Sequence, residues 1–230
     1  MNKVKHLILA MLLGVSASTA QALVIDFQAM ADGSFGESAW QPLSLLADFG
    51  IDVDITAIQY TGGEVTQIFA YLDSNNAGLG ACQRITGSLN TKRPGNGGNI
   101  CSDSSDDNVD KPGEGLLFKF NETVTVGDIS FNTNHDTDFT LENDTILING
   151  AGHTFTGAGV ADGNGGRDWL YALNGTYHAN DLLLLSYGGE HPEQFYISSI
   201  EMTTSVPEPA SLTLLGLGLF GMGALRRRIK

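Results

Sequence analysis

Short apolar runs, many of them β-branched or aromatic, recur through the middle of the chain about every eight to twelve residues, with Gly, Asn, Asp, Ser and Thr between them. These runs predict strands over Leu23–Phe27, Asp52–Tyr60, Val65–Leu72, Gly115–Phe120, Thr123–Phe131, Phe139–Ile148, Thr154–Phe155, Leu182–Ser186 and Gln194–Met202. Val124 and Val126 alternate with Thr123 and Thr125, and Ile129 and Phe131 flank Ser130. That period of two turns one face of a strand to a core. A helical pattern appears at Ser38–Phe49, where Pro42 breaks it, and Arg167–Tyr171 predicts one short turn. Many short strands with turn residues between them point to an antiparallel β-sandwich or barrel rather than an α/β fold. Gly87 to Pro112, with GNGGN and SDSSDDNVD inside it, predicts a long loop.

The two ends follow different patterns. Lys3 and Lys5 precede an apolar run, Leu7 to Val15, and small residues lead to Ala20-Gln21-Ala22. This is the order of a secretory signal, with signal peptidase expected to cut after Ala22 and Ser18-Thr19-Ala20 as the alternative site. At the other end, Val206-Pro207-Glu208-Pro209 stands before an uncharged stretch, Ser211 to Leu225, and the chain ends on Arg226, Arg227, Arg228 and Lys230. The prolines keep the triplet out of a helix interior. The apolar stretch as a helix reaches only ~23 Å, short of a hydrocarbon core of ~30 Å. Its terminal cations are expected to stay on the cytoplasmic side. The expected organisation is therefore a signal peptide (1–22), one folded domain (23–205) and a C-terminal segment (206–230) with a short membrane-anchor helix.

The C-terminal segment resembles the PEP-CTERM sorting signal of exported bacterial envelope proteins. The resemblance implies that a membrane-embedded exosortase recognises the tail, removes it and passes the protein on. The implied location is the cell envelope or extracellular space, after transient anchoring in the inner membrane. This resemblance covers only the last tenth of the chain and implies no activity for the rest.

Charge narrows the partners. Of twelve Lys and Arg, two lie in the signal and four in the tail, leaving six against twenty-five acids once Glu208 is set aside. Phosphate binding needs clustered cations, so a nucleic-acid partner is not expected. Cys82 and Cys101 are an even pair in an exported chain and predict one disulfide, stabilising by roughly 3 kcal/mol. The other readings are a metal site, which lacks CxxC spacing or a nearby His, and a catalytic thiol, which lacks a recognisable partner.

A second resemblance lies in YLDSNNAGLGAC (Tyr71–Cys82), SDDNVDKPGEGLLFKF (Ser105–Phe120) and VGDISFNTNHD (Val126–Asp136). These segments are similar to a pattern in many PEP-CTERM surface proteins, and they imply a β-sandwich of jelly-roll type without a catalytic assignment.

Several constellations are candidates for chemistry. Asp103, Asp106, Asp107, Asn108, Asp110 and Glu114 make an oxygen-rich loop, and Ca²⁺ takes six to eight oxygens. The expected ligands are Asp107, Asn108, Asp110 and Glu114, although EF-hand spacing is absent. Glu114 sits between two glycines before an apolar strand, where a carboxylate needs a cation or a set of N–H donors. Trp169 and Tyr171, in GRDWLYALNGTY, are candidates to stack on a sugar ring, against the commoner fate of a core Trp. His135 with Asp136 and Asp138, and the pair Glu190 and Glu193, are the groups a glycoside hydrolase would need. No GxSxG, HExxH or P-loop occurs. The sequence thus predicts a non-enzymatic surface or matrix protein associated with exopolysaccharide, with a polysaccharide hydrolase as the alternative.

Overall fold

The computed structural model describes residues 21–204 apart from 34, 88–98, 103–106, 135–139 and 163–165. The expected signal peptide up to residue 20, the sorting residues Val206, Pro207, Glu208 and Pro209, and the anchor helix lie outside the described residues, while Gln21 and Ala22 open the first strand. Ala22–Thr204 forms one compact unit.

Sixteen strands carry the fold. They are β1 (Gln21–Asp26), β2 (Ser38–Trp40), β3 (Leu43–Ser44), β4 (Val53–Thr61), β5 (Glu64–Asp73), β6 (Gly78–Cys82), β7 (Ile85–Thr86) and β8 (Ile100–Cys101). The chain continues through β9 (Glu114–Phe120), β10 (Val124–Asn132), β11 (Thr145–Ile148), β12 (Ala151–Thr154), β13 (Val160–Ala161), β14 (Arg167–Tyr177), β15 (Leu182–Tyr187) and β16 (Tyr196–Thr204). Two short helices, α1 (Phe27–Asp32) and α2 (Leu46–Phe49), complete it.

Fourteen strands form one large antiparallel sheet in the order β12-β11-β15-β9-β4-β5-β6-β16-β10-β14-β13, with β1 beside β16, β2 beside β5 and β3 beside β4. The sheet curls at β5. Its first half pairs with β4 (Ala57 opposite Ile68), and its second half pairs with β6 and β2 (Phe69 opposite Cys82, Tyr71 opposite Ala39). The two arms close on one core: Leu116, Phe118, Leu183 and Leu185 of the first arm share a cluster with Ile129, Phe131, Ile197 and Ile200 of the second. The predicted antiparallel β architecture is what folds, with both arms belonging to one continuous sheet.

Several elements differ from the sequence reading, among them strands β6, β7, β8 and β13, which it did not predict. Ser38–Phe49 is not a helix around a break: Ser38–Trp40 pairs with β5, Leu43–Ser44 pairs with β4, and only Leu46–Phe49 is helical. The true first helix is α1. Asp26 caps it by accepting from Ala29 N at 2.8 Å, and Phe27, Met30 and Ala31 bury one face. Arg167–Tyr171 is no turn but the start of an eleven-residue strand. From Val126 to Asp128 on β10 the partner runs from Gly175 to Ala172, so β14 holds one extra residue. Asn174, at φ +48°, sits in that bulge.

Cys82 and Cys101 are bonded, with Cα atoms 5.9 Å apart. They lie in a small satellite core with Ala39 and Tyr71. Tyr71 donates to Glu37 Oε1 at 2.6 Å, and burial, reinforced by that carboxylate, holds its phenol far above the ordinary value.

Candidate functional site

The acidic loop is a strap. Glu114 opens β9 and is completely buried. Its Oε2 accepts from the backbone N–H of Asp110 (3.3 Å) and Lys111 (3.2 Å), and its Oε1 accepts from Gln83 Nε2 (2.8 Å). Of the two solutions open to a carboxylate beside a core, this one uses N–H donors. The rest of the strap is tied in the same manner. Asp107 Oδ1 accepts from Tyr196 OH at 2.7 Å, and Asn108 Nδ2 donates to Gln194 Oε1 at 3.2 Å. Val109 exchanges two backbone bonds with Phe195, and Lys111 Nζ lies 3.6 Å from Asp110 Oδ1. Beneath runs Gly80 of β6, where a Cβ would stand 2.1 Å from the Asp107 carbonyl oxygen. Asp103 and Asp106 lie outside the described residues. Among the described residues no three His, Cys, Asp or Glu gather as a metal group.

The aromatic candidates lie where the two ends of the sheet meet. β12 and β14 are not strand neighbours. They touch through side chains: His153 packs on Tyr171 with ring centroids 4.4 Å apart, and on Phe155 at 4.8 Å. Beside this seam opens a cleft of about 460 Å³, lined by His153 to Val160 and Asp168 to Leu170. Val160 and Leu170 form exposed lips.

Trp169 is the floor of that cleft rather than a platform above it. It is 3% exposed, its Nε1 donates to the Gly157 carbonyl at 3.0 Å, and Gly159 lies on its ring so closely that a Cβ there would come 2.8 Å from Cε2. The strand period turns Trp169 inward and Leu170 outward, which a turn would not have done. Tyr171 is half-buried against the core. Arg167 closes the loop by donating from Nη1 to Ala158 O (2.7 Å) and Gly159 O (3.2 Å). Burial lowers the pKa of His153, so the imidazole favours its neutral form. Asp168 accepts from Ser198 Oγ at 2.8 Å; burial, aided by the charges of Asp162 and Asp26, raises its pKa against that bond.

His153 was missed by sequence reading. Its signal is the alternation His153-x-Phe155, which sets both rings on one side of an extended segment. Of the hydrolase candidates, Glu190 and Glu193 do not line this cleft. Glu190 is exposed, and Glu193 is half-buried with its Oε1 accepting from Gln194 N at 2.9 Å. His135, Asp136 and Asp138 lie outside the described residues.

The PEP-CTERM protein-sorting motif matches at residues 205–228, immediately after β16. No curated protein and no solved structure is a significant match to the chain. The chain therefore carries the sorting signal of an exported, envelope-associated protein handled by an exosortase.

Proposed function

We propose that the domain between the processed ends is a non-enzymatic component of the cell surface or extracellular matrix, associated with exopolysaccharide. The sorting motif carries this reading, because it gives the domain an address in the cell envelope. The seam cleft supports it: Tyr171 and His153 stand at its side, Trp169 forms its floor, and its volume of about 460 Å³ lies within the range of small-ligand sites. In the same reading the two arms are a jelly-roll sandwich, signal peptidase cuts after Ala22, and Ser211 to Leu225 holds the precursor in the inner membrane until the tail is removed.

Three measurements test the proposal. Intact mass of the released protein should lack both Met1 and Lys230, and retention of either refutes the processing. Binding of the producer's exopolysaccharide should weaken in Tyr171→Ala. Release of reducing ends that disappears in Glu190→Gln or Glu193→Gln would replace the proposal with a hydrolase.

A further inference from the structure

The seam cleft is poor in charge. Among the described residues that line it, Asp168 alone is formally charged, and neither Lys nor Arg is present. Arg167 stands beside it in sequence, with Nη1 given to the carbonyls of Ala158 and Gly159. Asp168 is engaged through Oδ1 with Ser198 Oγ, and Asp162 and Asp26 add negative charge nearby. An anionic ligand would enter against a field of its own sign, in a chain whose formal net charge is −14.

The other groups suit a ligand that is polar without being ionic. Burial keeps His153 neutral, and a neutral imidazole offers one donor and one acceptor. Thr156 brings a hydroxyl, which also both donates and accepts. Sugar hydroxyls have the same double character, whereas a carboxylate only accepts and an ammonium only donates. Val160 and Leu170, 61% and 56% exposed, leave aliphatic surface in water at the lips. A pyranose ring carries C–H faces between its hydroxyls, so one ring can cover a lip and hydrogen-bond to the wall together.

We infer that the seam cleft takes an uncharged sugar unit of the matrix polysaccharide, with a C–H face on Val160 and Leu170, and that it turns away uronates and other ionic sugars. The inference rests on the association with exopolysaccharide proposed above and adds the class of sugar, and its test separates the two.

The processed protein released by the producer is mixed with that organism's exopolysaccharide, separated by ion exchange into neutral, acidic and basic fractions, and retention is measured by co-sedimentation. The neutral fraction should retain the protein, and equally at low and high salt, because no ion pair is present to be screened. Leu170→Ser, on an exposed lip, should weaken that retention on the order of tenfold. Leu182→Ser, on a side chain similarly exposed at the start of β15 opposite Lys119, should leave it unchanged. Retention by the acidic or the basic fraction alone overturns the inference and leaves the association standing. Unchanged retention in Leu170→Ser, or an equal loss in Leu182→Ser, overturns the site. Wild-type protein that no fraction retains overturns the association and the sugar class with it.

Discussion

The strap around Glu114 and the seam around His153 both hold distant parts of the chain together, by opposite means. At the strap, one buried carboxylate collects three N–H donors from Gln83, Asp110 and Lys111. At the seam, two strands that share no ladder meet through the rings of His153 and Tyr171. Charge-assisted hydrogen bonds inside a protein are directional and costly to break, because each orphaned donor keeps its desolvation penalty. Ring contacts tolerate small displacements and contribute less apiece. The strap should therefore behave as a fixed joint and the seam as one that yields.

The largest expected effect breaks the strap. Glu114→Ala leaves its buried donors without their acceptor and should cost about 3 kcal/mol. For a domain of this size that lowers Tm by roughly ten degrees. Glu114→Gln, which keeps an acceptor oxygen, should lose less. Next comes Gly80→Ala, whose added methyl meets the Asp107 carbonyl at 2.1 Å. The expected loss is about 1–3 kcal/mol, read from urea unfolding.

At the seam, Tyr171→Ala should destabilise by about 0.5–1.5 kcal/mol beyond its lost area. A double-mutant cycle with His153→Ala isolates that coupling. The smallest effect is one of pH. His153 has a lowered pKa in the folded protein, so the unfolded chain binds more protons as pH falls below its ordinary value of about 6.5. Its contribution is complete above that value and is lost as pH falls through the folded pKa. Thermal unfolding between pH 7.5 and 5 should show a decline that His153→Phe removes.

Calcium sharpens the same contrast. With Glu114 held by N–H donors, its substitution should cost the same in Ca²⁺ as in EDTA. A Ca²⁺-dependent rise in Tm that vanishes when Asp107 and Asp110 become Asn would support the cation reading of the loop.

Glu114 also shows how far the sequence can be read. Its place between two glycines before Leu116 and Phe118 revealed a carboxylate facing a core. Which donors answer it depends on Gln83, thirty-one positions away, and no local pattern records that meeting. β4, β5, β9, β10 and β16 were legible from their β-branched and aromatic runs between turn residues, although a bulge on β10 moves its buried positions from Val124 and Val126 to Ile129 and Phe131. β14 was not, because Leu170 on its outer face and the turn residues Asn174 and Gly175 obscure the inward series Trp169, Tyr171, Leu173 and Tyr177. β6 escaped for a different reason: GLGAC is covered throughout, with Gly80 letting the strap pass and Gly78 lying against Ile197 of β16. The seam was illegible because it is made by the closing of the whole sheet, and Trp169 changes from a surface ring to a core ring once β14 is a strand.

The order of synthesis gives β16 a further meaning. It is the last strand made, yet it lies in the interior of its arm, between β6 and β10, with the first strand, β1, also at its side. During transport the earliest segment to cross has no partner until the final residues of the domain follow it. Long-range pairings of this kind form late. A polypeptide whose keystone arrives last remains threadable through a narrow pore, and it completes its architecture only after the whole domain has reached the far side.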